Sequence, residues 1–145
     1  MRETMEGLSA RIGGQMYLAH RYARAATNEA LREFGIELRH LGVLNMLAQD
    51  GPMNQRALVD RLQLDKSSMV YVIDELERQG LAERRRDPRD RRSYQVSITD
   101  AGRERVTAAA AATAVVMDRL CEPLSGQERR QLSDLLGRFI ANAER

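Results

Sequence analysis

The residues best suited to chemistry lie in one short stretch, Arg84 to Arg92, where Arg84, Arg85, Arg86, Arg89, Arg91 and Arg92 stand against only Asp87 and Asp90. Six guanidiniums and two carboxylates give this stretch +4, whereas the whole chain carries +2, so the basicity is local and the remainder is slightly acidic. Guanidiniums keep their charge at any ordinary pH and offer forked donors that match phosphate oxygens. Asp87-Pro88 marks a turn. Glu83 to Arg86 before it can supply one strand, and after it Tyr94, Val96 and Ile98 alternate with Gln95 and Ser97 at the period of a half-buried strand. The expected local structure is a hairpin with a cationic tip, able to touch polyphosphate.

Other chemistry is sparse. His20 and His40 are the only histidines and lie in no metal-ligand spacing, so both read as structural. The single cysteine, Cys121, excludes an intramolecular disulfide and reads as a small apolar residue near a helix end in a reducing compartment. No nucleophile with its base, no glycine-rich phosphate loop and no metal quartet is visible, so neither an enzyme nor a cofactor is expected. No apolar run approaches the roughly eighteen residues of a membrane span, and no charged-then-apolar leader opens the sequence. A soluble, cytoplasmic protein without a membrane partner follows as the expectation.

The elements that must position the arginines are mostly helical. Leu8, Ile12, Met16, Ala19, Tyr22 or Ala23, Ala26, Ala30 and Phe34 recur at helical spacing, and Gly35 offers a stop. Leu38, Leu41, Leu44 and Met46 or Leu47 outline a second helix that ends at Asp50-Gly51-Pro52. Asn54 can cap a short helix Gln55 to Leu62, and Asp65 can cap the next, Lys66 to Gln79, whose buried stripe is Met69, Val72, Ile73 and Leu76. The complementary face carries Lys66, Ser67, Val70, Tyr71 and Asp74. Two short helices joined by a tight turn form a helix-turn-helix, and the hairpin directly after it makes the motif winged. Thr99 can cap a helix from Asp100 to about Leu120, and Ser125 to Glu128 reads as a capping box opening a last helix with Leu132, Leu135 or Leu136, Phe139 and Ile140 on one face. The terminal helices carry more apolar stripe than so small a winged domain can bury, which asks for a second copy of the chain.

Asp87-Pro88-Arg89-Asp90-Arg91-Arg92 followed by Ile98-Thr99-Asp100-Ala101-Gly102 resembles the signature of MarR-type transcriptional regulators. Leu64 to Ser68 and Leu76 to Leu81 resemble that family's recognition helix and its exit. The resemblance spans about Leu8 to Ile140. It implies a mainly α protein with a small β-hairpin wing, in which 1–35 and 100–145 form a helical dimerisation region around a winged helix-turn-helix DNA-binding lobe, 36–99. It further implies a homodimer on double-stranded DNA and a cleft between the two regions for a small aromatic or phenolic ligand.

At the DNA site, Lys66, Ser67 and Ser68 lie where a recognition helix meets the major groove. Family members commonly place a hydroxyl residue and then an arginine at the next exposed positions; here Val70 and Tyr71 stand instead. Without that arginine, bidentate reading of guanine is lost on this face, and Val70 can meet a thymine methyl. Arg91 and Arg92 are the expected minor-groove probes. The resemblance assigns Asp90 to hold Arg92. Arg84, Arg86 and Arg89 are expected on phosphates, with Gln55 and Arg56 as further backbone contacts. The helices walling the family's ligand cleft would bring Met16, Tyr17, His20, Arg39, His40 and Leu44; of these Met16 and Leu44 also read simply as core. The expected function is a ligand-responsive repressor on a palindromic operator. Its rival is a dimeric helical module whose basic arm binds an acidic protein partner.

Overall fold

Thr4 opens the fold. In this computed structural model, which describes residues 2–145, its hydroxyl accepts the Gly7 N–H at 3.0 Å and starts helix α1, Met5–Leu31. Met1, where the expected dimer region begins, lies outside the described residues. The helix runs unbroken through Gly13-Gly14, where each glycine costs only about 1 kcal/mol. A tight 3-10 turn, Arg32–Phe34, and Gly35 at φ 68° then reverse the chain. Helix α2, Leu38–Asp50, begins with an unusual capping box: Glu37 accepts from the N–H of His40, and His40 Nδ1 accepts the Glu37 N–H at 2.9 Å.

Strand β1 is only Met53–Asn54, and the sequence did not announce it, since two residues cannot display alternation. Asn54 also serves helix α3, Gln55–Leu62, by accepting the Ala57 N–H at 2.7 Å. Gln63, at φ 52°, makes the left-handed turn into α4, Lys66–Arg78, capped by Asp65 as expected. Met69, Val72, Ile73 and Leu76 are all fully buried. Strands β2, Ala82–Asp87, and β3, Asp90–Ile98, form the wing, and β1 adds to its other side, so the sheet is three-stranded with β3 in the middle. Helix α5, Asp100–Leu120, starts on the Thr99 cap, and α6, Gly126–Ala143, on the expected Ser125–Glu128 box.

One core joins α2, α3, α4 and the wing, built around Leu44, Leu47, Leu58, Met69, Ile73, Leu76 and Val96, with Leu31 from α1 and Ala109 from α5 at its margin. Each such leucine contributes about 1.5–3 kcal/mol relative to staying in water. The terminal helices differ. Helix α6 buries no residue within its own chain, leaving Phe139 and Ile140 more than half exposed, and Ile12, Tyr22 and Val115 on α1 and α5 are likewise uncovered. Among the described residues no helix is long and apolar enough to cross a membrane.

Candidate nucleic-acid interface

Register decides where the arginines go. In the antiparallel pairing of β2 and β3, Ala82 faces Ile98, Arg84 faces Val96 and Arg86 faces Tyr94. Cross-strand partners share a sheet face, so Arg84 and Arg86 lie on the inner face with Val96, and Arg85 on the outer. Arg84 is accordingly tucked beneath α4, its side chain only 17% exposed. Its guanidinium bonds the Asp74 carboxylate, lies 3.3 Å from Glu77 and donates to the Val70 carbonyl at 3.3 Å. This arginine, expected on a phosphate, binds the wing to the recognition helix within the fold. Arg86 donates to the Arg91 carbonyl at 3.1 Å and sits over the Tyr94 ring, 5.8 Å from its centroid. Tyr94 is on the inward-facing side of the alternation, yet it lies beyond the core and is 44% exposed.

The tip itself is held by its two aspartates. Asp87 accepts the Arg89 N–H at 2.9 Å and Asp90 accepts the Arg92 N–H at 3.0 Å, each closing a turn on the backbone two residues ahead. Asp90 therefore fixes the backbone of Arg92 rather than its guanidinium. Arg89, Arg91 and Arg92 are exposed, and no ion pair engages them among the described residues.

Three elements converge beside this tip. Helix α3 brings Gln55, Arg56 and Asp60, the first residue of α4 is Lys66, and β3 brings Asp90, Arg92 and Tyr94; together they line one hollow of about 750 Å³. Lys66 brings the first turn of α4 to it, and α3 lines it from its first turn to Asp60; N–H groups at helix starts favour anions. Lys66 and Ser67 are exposed at the tip of α4. Ser68 is turned back onto the helix cap, its hydroxyl donating to Asp65 at 2.8 Å and its N–H to the same carboxylate at 2.7 Å, and these bonds hold Asp65 below the usual aspartate range. Val70 is half-buried, whereas Tyr71 stands out from the helix at 73% exposure. The hollow thus gathers Arg56, Lys66 and Arg92 beside Asp60 and Asp90, and Tyr71 stands outside it on the exposed face of α4.

The six candidate ligand residues do not meet in this chain. Tyr17 and His20 line a shallow hollow of about 380 Å³ on α1 together with Arg21, Arg24 and Asn28. Arg39 and His40 line another, of about 580 Å³, between the start of α2 and the recognition helix, where Ser68, Tyr71 and Glu75 form the far wall. Met16 is half-buried and Leu44 fully buried in the core. His40 is held by its capping bond; burial pushes it below the ordinary histidine value, with the Arg39 charge adding to that, while Glu37 and Glu75 pull the other way. Residues that periodicity did not single out do much of the joining. Asn28 accepts the Leu38 N–H at 2.7 Å, and Gln79 and Arg105 link three elements. Their partners lie 10 to 71 positions away in sequence, so no local pattern could have marked them.

Known proteins share this arrangement. Residues 34–93, which hold the helix-turn-helix and the wing tip, match the MarR family. The HTH-type transcriptional regulator YkoM of Bacillus subtilis is 35% identical over 105 residues, 72% of this chain and 68% of that protein. A MarR-family transcriptional regulator from Rhodococcus superposes with a TM-score of 0.80 at 31% identity, over 89% of this chain and 91% of that one. A mutant of MarR from E. coli, solved with operator DNA, shares the fold at a TM-score of 0.79 and 20% identity, over 94% and 99% of the two chains. In sequence and in fold, the chain belongs to the MarR family of DNA-binding, winged helix-turn-helix transcriptional regulators.

Proposed function

We propose that this regulator is a homodimeric repressor that holds a palindromic operator and releases it when a small aromatic or phenolic molecule binds. The observation that carries the reading is the convergence of Gln55, Arg56, Lys66 and Arg92 on one hollow between α3, the start of α4 and the wing, where they outnumber Asp60 and Asp90. A surface of that kind takes the phosphate backbone on its rim and a base edge at its centre. The uncovered apolar faces of α1, α5 and α6 support the homodimer, since a patch of this extent calls for a partner and a second copy satisfies it by symmetry. A dimer reads two half-sites about one helical turn apart. Two hollows, one beside Tyr17 and His20 and one beside Arg39 and His40, offer polar and aromatic groups to an effector. Terminal segments 1–35 and 100–145 act as the dimer region and 36–99 as the DNA lobe, and the work is done in the cytoplasm on the chromosome.

The exposed face of α4 predicts the operator. Val70 and Tyr71 supply no bidentate donor for guanine, and Arg91 and Arg92 favour a narrow A·T-rich minor groove, so shape and thymine methyls carry much of the readout. Selection in vitro from random duplexes with the purified protein tests this. The expected result is a palindrome with A·T-rich positions under the wings, bound by a dimer with an affinity that falls steeply with salt. A motif dominated by guanines at the major-groove positions would overturn the readout, and an unpaired half-site the dimer. No affinity for any duplex at low salt would leave the acidic-partner module as the better account of the basic arm.

A further inference from the structure

The recognition helix leaves its lobe through a three-residue exit, Gln79-Gly80-Leu81, and each of those residues is bonded to α5, to its cap Thr99 or to the turn before α2. Gln79 donates through Nε2 to the Gly35 carbonyl at 2.8 Å and to Glu75 at 2.8 Å. Its Oε1 accepts from Arg105 Nη1 of α5 at 3.1 Å, and the same nitrogen donates to the Phe34 carbonyl at the end of the 3-10 turn. The Thr99 hydroxyl donates to the Gly80 carbonyl at 2.7 Å, and the Thr99 N–H to the Leu81 carbonyl at 3.1 Å. Gly102 closes on the same point: a Cβ there would lie 2.2 Å from the Leu81 carbonyl oxygen.

We propose that Arg105 and Gln79 are the positioning residues of a joint that sets the angle of the recognition helix against α5, and through it the half-site spacing that the dimer accepts. The inference rests on the homodimer and palindrome reading above. Apart from the Asn28 bond to the Leu38 N–H, the remaining contact between the two regions is apolar, through Leu31, Phe34, Val106 and Ala109. Apolar burial is non-directional and tolerates sliding. A guanidinium bonded to two acceptors on different elements does not, because its donors are fixed in one plane. The joint also sits at the far end of a lever. Helix α4 has 13 residues, about 20 Å at roughly 1.5 Å per residue, so a tilt of about 3° at Gln79 moves Lys66 by about 1 Å. Two symmetric lobes change the distance between half-sites by about 2 Å, more than half of the roughly 3.4 Å rise of one base pair.

The test measures binding of the wild type, Arg105→Met, Gln79→Met and Arg105→Lys to duplexes carrying two selected half-sites, with the spacer lengthened or shortened by one base pair, and to a duplex carrying one half-site. The wild type should prefer one spacer. Each methionine variant should lower the ratio between the best spacer and its neighbours at least about fivefold while leaving the one-half-site affinity and its salt slope unchanged, and Arg105→Lys should restore part of the preference. An unchanged ratio in a folded dimer overturns the joint, as does an equal loss on every duplex including the single half-site. Should Arg105→Met fail to fold, Gln79→Met, which keeps the bond from Arg105 to Phe34, decides alone. A flat wild-type profile overturns the palindrome reading and the joint with it, whereas a peaked wild type with equally peaked variants overturns the joint only.

Discussion

The lobe built from α2, α3, α4 and the wing closes on itself, whereas the terminal helices do not. Both regions carry amphipathic helices of similar regularity, and Leu76 and Phe139 sit on equally clear apolar stripes. Leu76 is fully buried and Phe139 is 54% exposed. The difference lies in what stands opposite each stripe. Helix α4 faces α2, α3 and β2 of its own chain, but α6 touches its chain only near its start, where Arg129 bonds the Cys121 and Leu124 carbonyls and pairs with Asp118, and its apolar face meets nothing. The lobe is complete in one copy, and the terminal helices leave apolar faces uncovered. The same contrast holds within the DNA lobe: wing arginines on the inner face of β2 belong to the fold, and those at the tip remain for a ligand.

The largest effect should come from breaking the region that is incomplete alone. Phe139→Asp combined with Ile140→Asp puts two charges on the α6 face; the expected outcome is a monomer, by sedimentation, with operator affinity lowered at least about 100-fold as two linked contacts become one. A dimer that survives would mean that α6 is not the covered face. Within the joined core, Gly102→Ala forces a methyl against the Leu81 carbonyl oxygen and the Ile98 side chain, 2.2 and 2.7 Å from the new Cβ. Chemical denaturation should show a loss of about 1–3 kcal/mol, the usual cost of overpacking.

The two arginine classes separate by salt. Arg92→Ala should shallow the dependence of log affinity on log salt by about one unit, and Arg84→Ala by clearly less, because Asp74 and Glu77 already neutralise that guanidinium. Equal changes would erase the distinction between the arginine tied beneath α4 and those at the tip. The smallest effect concerns His40. Its folded-state pKa lies below the ordinary 6.5, so the unfolded chain takes up a proton that the fold resists. The stability this provides is complete above that value and is lost as pH falls below it. Melting temperatures should therefore drop between about pH 7 and about pH 5.5 in the wild type, and the drop should flatten in His40→Gln.

Much of this molecule could be read in order along the chain. Caps at Asn54, Asp65, Thr99 and Ser125 are local devices in which a side chain answers a backbone N–H three residues on, so residue type and spacing suffice to place them. The buried stripe of α4 was legible for the same reason, and the wing signature carried the family. Strand β1 was not, because its only evidence is its pairing with Val96 and Gln95, more than forty positions away.

What the sequence by itself determined is therefore the set of helices, their caps, the wing and the location of the excess positive charge, all of them interactions within a few residues. Tertiary structure decided which of those charges face out. Registering Arg84 against Val96 turned one arginine into a tie beneath α4, and the Asp90 carboxylate was found on the Arg92 backbone instead of its guanidinium. It also sent Arg39 and His40 to a different hollow from Tyr17 and His20, and brought Arg105 to Gln79. Each of these depends on sheet register or on a contact between distant elements, and such contacts leave no periodic trace in the chain that makes them.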